Sequence, residues 1–341
     1  MVVLMPAFDI VVMGASAGGV GSLQRLVERL PASFDAAILI TLHLPEGIRS
    51  MLPQILSRAG SLPATHAVNG ERIARGHIYI APSGFHLTVV RGQLQVTRGA
   101  REHGVRPAID PLFRSAAIAY GPRAIGVILS GALDDGTVGL REVKNAGGLA
   151  IVQDPGDTEW PSMPQSALNH VKVDHTARAE DIGTLLGEIV GANEVGEVPN
   201  GDPQTVARKE VRELTMHEDE HEHPGEPSPY SCPDCGGVLW ELKDGEMLRF
   251  RCRVGHAYTG ETLTMEQALT VEHALWSALR ALEEQAAVQR RIADRAERQG
   301  YTQSAERHRE RAHELDEQAA KIRDLVLAGA GAGEEPASRE S

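Results

Sequence analysis

The sequence predicts an α/β fold: a doubly wound, mostly parallel sheet with helices on both faces and a β-hairpin insertion, followed by a small zinc ribbon and a C-terminal helical hairpin. Two observations carry the main domain. Continuous apolar runs at 36–42, 124–129 and 149–152 alternate with amphipathic stretches at helical spacing. The first apolar run, from Phe8 to Met13, leads straight into Gly14-Ala15-Ser16-Ala17-Gly18-Gly19, small residues suited to a tight turn between a strand and a helix.

In chain order, Leu23, Leu26, Val27 and Leu30 recur on one helical face until Pro31 ends the helix. The strand at 36–42 stops at His43-Leu44-Pro45, and a helical segment around 48–56 follows. A β-rich insertion then comprises Ile78-Tyr79-Ile80-Ala81 and a hairpin pairing 87–90 with 93–97 about Arg91-Gly92. Residues 110–120 read as a helix with Asp110 as N-cap and Pro111 in its first position. The strand at 124–129 leads through Ser130-Gly131-Ala132-Leu133-Asp134-Asp135-Gly136 into a helix reaching Asn145. A strand at 149–152 and a helix at 182–190 close a domain expected to span 8–191.

Composition narrows the function classes. A net charge of −13 argues against nonspecific binding to nucleic acid or acidic membranes. No run of about 18 apolar residues offers a membrane span. The stretch Met1-Val2-Val3-Leu4-Met5-Pro6-Ala7 lacks the basic start of a signal peptide, so a cytoplasmic location is expected. The 3 cysteines, Cys232, Cys235 and Cys252, suit a metal site better than a disulfide framework.

Gly14-Ala15-Ser16-Ala17-Gly18 fits the Gly-x-Ser-x-Gly nucleophile elbow, in which small neighbours leave the serine oxygen uncrowded. A glycine-rich phosphate cradle is the other reading, but the acidic residue expected about 20 positions later is poorly provided, since Asp35 precedes its strand. In open parallel sheets, function gathers beyond the carboxyl ends of the strands. Ser16, His43 and Asp135 each follow a different predicted strand and so arrive at one edge, the set needed for nucleophilic acyl transfer. A rival order, serine then acid then histidine, would use Asp135 or Asp154 with His170 or His175.

These residues carry a family resemblance. The serine turn, His43-Leu44-Pro45-Glu46-Gly47, Ile80-Ala81-Pro82 with His86-Leu87, Asp110-Pro111-Leu112-Phe113-Arg114-Ser115-Ala116-Ala117, Asp135-Gly136 and Met163-Pro164 come in the order and spacing of the CheB-type protein-glutamate methylesterases of bacterial chemotaxis. Over residues 8–190 the chain resembles that family. The resemblance implies a serine esterase removing methyl groups from glutamates of chemoreceptors, in some members also deamidating glutamines, with no catalytic cofactor. The family's catalytic serine, histidine and aspartate fall on Ser16, His43 and Asp135, and its Gly-Met-Gly-x-Asp-Gly loop falls on Gly131-Ala132-Leu133-Asp134-Asp135-Gly136. Alanine and leucine thus replace the motif's methionine and second glycine. Backbone N–H groups near Ala17 and Ala132 are expected to hold the oxyanion. By the same analogy His86 and Arg106 line the substrate groove; a surface histidine and a solvated charge are the alternatives. Many members carry a receiver domain ahead of the esterase; here that control is expected to come from a separate receiver-domain protein. A non-catalytic signalling adaptor on the same fold is the competing class.

Residues 192–229 turn acidic and rich in Gly, Pro and His, and read as a flexible linker with one short helix at 206–214. Within it His217, His221 and His223 read as part of a solvated charged tract rather than a metal site. Cys232-Pro233-Asp234-Cys235 and Cys252-Arg253-Val254-Gly255-His256 are two ligand pairs across a hairpin-length spacer, the pattern of a zinc ribbon at 230–260. Three thiolates and one imidazole close a tetrahedral shell, so the zinc is structural. Residues 261–328, with Gly300 as the break, read as a helical hairpin or short coiled coil suited to self-association or partner docking, and 329–341 read as disordered.

Overall fold

The structure, a computed structural model, describes residues 8–48, 50–90, 92–191, 225–242 and 247–330. Seven strands form the main sheet: β1 (Ile10–Ala15), β2 (Ala37–Leu42), β3 (Ala64–His66), β4 (Ile78–Ile80), β7 (Ala124–Ile128), β8 (Leu149–Gln153) and β9 (His175–Ala177). Their order is β3-β4-β2-β1-β7-β8-β9, and every pairing is parallel. The chain winds outward from β1 through β2, then returns to place β7 on the other side of β1. The crevice between β1 and β7 is therefore the switch point where loops diverge and a site can form.

Side chains of β1 alternate between two cores, as a strand with both faces covered requires. Val11 and Met13 pack with Leu23 and Leu26 of α1 (Gly19–Val27), Leu52 and Leu56 of α2 (Leu52–Ala59) and Ile182 and Leu186 of α6 (Ala179–Gly191). Ile10 and Val12 face Ile109, Leu112 and Phe113 of α3 (Ile109–Tyr120), Leu140 and Val143 of α4 (Thr137–Asn145) and Met163 and Ala167 of α5 (Ser162–His170). That second core continues into the insertion through Leu87, Val89 and Leu94 of the hairpin β5 (His86–Val90) and β6 (Gln93–Thr97). All of these strand and helix side chains are buried. Each of those larger than alanine contributes roughly 1.5–3 kcal/mol by leaving water, which is why apolar periodicity alone locates most elements.

Three elements lay below that signal: β3, β9 and α5. The first two are three-residue edge strands, too short for any periodicity. Asp110 is not the N-cap expected. Ala108, extended at φ −104° and ψ 154°, occupies that position, and the Asp110 carboxylate turns inward to accept from the Gly139 N–H at 2.7 Å. The capping role passes to a distant residue, described below.

A four-stranded antiparallel sheet follows, β10 (Glu226–Ser231), β11 (Val238–Leu242), β12 (Arg249–Cys252) and β13 (Ala257–Thr259), in sequential order. It begins at Glu226, inside the stretch expected to be linker. The remainder of that stretch, with the short helix expected at 206–214 and the three histidines, lies outside the described residues, as does 331–341. The chain divides into two compact units, one ending at Leu263 and one beginning at Thr264, so this small sheet belongs with the main sheet. Residues 100–103 meet it directly: Glu102 forms a bridge with Ala257, and the Ala257 N–H donates to the Arg101 carbonyl at 3.3 Å.

Helix α7 (Gly260–Arg298) runs into the second unit, where it turns at Gly300 (φ 82°) into α8 (Thr302–Ala330). Ala286, Ala293, Ala305, Ala312, Leu315 and Ala319 are buried between the two helices' apolar stripes, as the spacing predicts. Exposed ion pairs Arg290–Asp316, Arg309–Glu297 and Arg323–Glu283 cross between the antiparallel helices. Among the described residues no helix is long and apolar enough to cross a membrane.

Candidate active site

Ser16 leaves β1 at the switch point, where its N–H donates to the Ser130 carbonyl at 2.9 Å and ties its turn to the end of β7. Gly18, at φ 71°, lets the chain reverse into α1. The turn is braced by a hydroxyl chain in which Thr158 Oγ1 donates to Ser130 Oγ and Ser130 Oγ donates to the Ala17 carbonyl, each at 2.6 Å. Gly131 comes so close that a Cβ there would stand 2.9 Å from Ser16 Cβ and 2.1 Å from Met163 Sδ. This close approach accounts for the glycine. Among the described residues, neither the Ala17 nor the Ala132 N–H donates a hydrogen bond, so both are available to an oxyanion.

His43 follows β2, its N–H donating to the Ala15 carbonyl at 3.1 Å. Its Nε2 donates to Asp135 Oδ2 at 2.7 Å, which leaves Nδ1 to take a proton. Asp135, 2% exposed, also accepts from the Ile109 N–H at 2.7 Å and the Asp110 N–H at 3.0 Å. These are the first N–H groups of α3, so Asp135 performs from across the fold the capping that the sequence assigned to Asp110. Burial alone would raise its carboxyl. The charge of His103, the bond from His43 and the helix N–H groups outweigh that and hold it at about 2.

The remaining candidates divide. Arg106 is partly buried and donates to the Gly99 carbonyl at 2.6 Å and to Glu46 Oε1 at 2.7 Å. His86 does not line a groove. It is 1% exposed, Nε2 donates to the Ala100 carbonyl at 2.8 Å, and Nδ1 accepts from the Ala108 N–H at 3.2 Å. Burial pushes its pKa down, as its neutral ring requires. The rival set is not assembled: Asp154 caps its own turn at Gly156, His170 donates to the Ser166 carbonyl and exposed His175 opens β9. A groove of about 460 Å³ runs from Gly18 along Arg25 to Asp157 and Trp160, beside the serine turn rather than on it.

Two buried residues went unnoticed in the sequence. His103 donates from Nε2 to Asp110 Oδ2 at 2.9 Å and lies 3.5 Å from Asp135 Oδ1. Burial would lower its pKa, but the Asp135 and Asp110 carboxylates raise it to about 9. Glu102 pairs with Arg114 at 2.7 Å and with Arg251 of β12 at 3.4 Å; the two guanidinium groups hold its carboxyl at about 2 against burial.

The donor atoms of Cys232, Cys235, Cys252 and His256 all lie within 4.8 Å of one another. Cys235 and Cys252 Sγ are 3.7 Å apart, and His256 Nδ1 is 3.6 Å from Cys232 Sγ and 3.5 Å from Cys252 Sγ. Edges of a tetrahedron with zinc–ligand bonds of about 2.0–2.3 Å measure roughly 3.5–3.8 Å, so the residues fit that ion. Tyr258 donates to Asp234 Oδ2 at 2.5 Å and stands 3.6 Å from Cys232 Sγ, a second layer around the cluster.

Residues 11–186 match the family model described as CheB methylesterase. A "Protein-glutamate methylesterase/protein-glutamine glutaminase 1" of Syntrophus aciditrophicus is 36% identical over 186 residues, 54% of this chain and 53% of its own. A relative from Leptospira interrogans is 35% identical over 180 residues, 52% of this chain and 93% of its own. The crystal structure of the Thermotoga maritima CheB methylesterase catalytic domain is 34% identical with a TM-score of 0.52, covering 54% of this chain and 100% of that domain. The chain thus matches about half the length of the Syntrophus relative.

Proposed function

The chain belongs to the CheB methylesterase family, and we propose that it is a serine hydrolase cleaving methyl esters of glutamate side chains on chemoreceptor proteins. The observation that carries this reading is the 2.7 Å bond from His43 to a buried, ionised Asp135 at the switch point where Ser16 emerges. Ser16 Oγ attacks the ester carbonyl carbon while His43 Nδ1 takes its proton, and Asp135 stabilises the imidazolium. The Ala17 and Ala132 N–H groups receive the oxyanion. Collapse breaks the acyl C–O bond, and the proton from His43 leaves with methanol. Water, deprotonated by the same histidine, then releases the glutamate and restores Ser16. Glutamine deamidation uses the same steps with ammonia as the leaving group.

The three thiols and the imidazole would hold a structural zinc ion, whose closed shell has no position for substrate. Control by a separate receiver-domain protein and self-association through α7 and α8 complete the reading. Light scattering on a chain ending at Leu263 tests the latter, an unchanged oligomeric state excluding it. The primary test is labelling by a fluorophosphonate beside Ser16→Ala and His43→Ala. Labelling of wild type alone supports the triad. A folded wild type left unlabelled, with a simple ester also intact, would replace the enzyme by a non-catalytic adaptor.

A further inference from the structure

The segment 99–106 is the seam between the catalytic loops and the metal-binding sheet. Arg101 reaches Asp234, between the first two cysteines, and Glu46, in the loop after His43, at 3.5 Å each. Glu102 joins Arg114 of α3 to Arg251 of β12. Glu102 and Val105 bond each other across a two-residue turn, with His103 at φ 55° and Gly104 at φ 72°. A histidine in that left-handed conformation is held against its preference and needs surrounding contacts to keep it there.

Those contacts come from β13 of the metal-binding sheet and from the first turn of α7, which continues directly from it. The His103 N–H donates to the carbonyl of Ala257, the residue after His256, at 2.7 Å. Its Nδ1 donates to Thr262 Oγ1 at 3.3 Å. Thr262 Oγ1 is itself located by the Thr259 N–H and hydroxyl, both at 2.9 Å. On the ring's other side His103 Nε2 stands between two buried carboxylates, Asp110 at 2.9 Å and Asp135 at 3.5 Å. An acid that orients His43 must not rotate. The Asp110 N–H secures one side of Asp135 Oδ1, and His103 occupies another.

We infer that His103 is a positioning residue for Asp135, and that the metal-binding sheet is the clamp that keeps it in place. The small sheet is then a working part of the catalytic unit, and loss of its metal unlocks the acid from behind. The activity half of this inference rests on the esterase reading; the clamp itself does not.

The test uses the full-length, zinc-loaded chain. Imidazole ¹H–¹⁵N correlations report His103, assigned by its disappearance in His103→Gln, while hydrolysis of a simple aryl ester and fluorophosphonate labelling report the site. Thr262→Val is expected to retain one zinc per chain, move the His103 signals and lower kcat and labelling rate about tenfold with KM unchanged. Thr262→Ser restores both. Removing zinc with a chelator also displaces the His103 signals. Signals unmoved by both Thr262→Val and zinc removal overturn the clamp, and moved signals with wild-type kcat overturn the positioning role. An unlabelled, inactive wild type defeats the esterase reading instead, and the His103 signals alone then decide the clamp.

Discussion

His43 Nε2 and Asp135 Oδ2 meet at 2.7 Å although 92 positions separate them in the chain. The same carboxylate oxygen accepts the first N–H of α3, so orienting the histidine and starting the helix are one structural event. Asp135→Asn keeps an acceptor for the helix but loses the charge that fixes the imidazole tautomer. Fluorophosphonate labelling is expected to fall by about three to four powers of ten with the fold retained by circular dichroism.

Gly131→Ala is expected to fail on both counts. Its Cβ would meet Met163 Sδ at 2.1 Å and Ser16 Cβ at 2.9 Å, so Met163 or the serine turn must move. Overpacking of this kind costs about 1–3 kcal/mol. A lower urea midpoint together with lost labelling would bear this out, and a wild-type labelling rate would contradict it.

Leu133 sits at φ 63°, in the left-handed region, where the family motif has glycine. An L side chain pays roughly 1–2 kcal/mol there, partly offset by the extra unfolded-state entropy of glycine. Leu133→Gly is therefore expected to be more stable than Leu133→Ala by about 1 kcal/mol, since both lose the side chain and only the first loses the strain. Denaturant melts of the two variants side by side decide it.

Stability should fall on the alkaline side because of His103. Its pKa is raised from 6.5 to about 9, so the folded state favours the cation. The contribution is complete below 6.5 and is lost as pH rises through 9, amounting to roughly 3 kcal/mol. In acid the order reverses: Glu102 and Asp135, both held at about 2 from ordinary values of 4.5 and 3.8, give up their contributions as pH falls toward 2. Chemical denaturation from pH 6.5 to 9.5 should show the alkaline slope in wild type and its absence in His103→Gln.

Burial pushes the Cys232 thiol up to about 12, and a bound cation would favour the thiolate instead. One zinc per chain is expected by elemental analysis, and none in Cys232→Ser or Cys252→Ser. Metal-free protein should release protons as zinc binds, which calorimetry in buffers of different ionisation enthalpy will detect.

Much of this protein was legible in its residues. The strands around β1, the helices between them, the hairpin at Gly92 and the stripe Ala305, Ala312, Leu315, Ala319 follow from patterns that act within one or two turns of chain. Ser16, His43 and Asp135 could be expected at one edge because Ser16 and His43 directly follow strands of a parallel sheet and Asp135 lies in the loop after a third. The ligand spacing of the cysteines and His256 is local as well. What only the tertiary structure decided are meetings between segments without a shared pattern. His86 turned inward because Ala100 and Ala108 offer its ring two backbone partners, and Asp110 gave up its capping role because Asp135 supplies the charge. The cysteine-bearing sheet joined the same compact unit as the main sheet instead of trailing behind a linker, because Glu102 pairs with Arg251 of β12 while the His103 N–H and ring find partners in Ala257 of β13 and Thr262 of α7. Periodicity records which face of an element leaves water; it carries no record of which distant charge that face will meet.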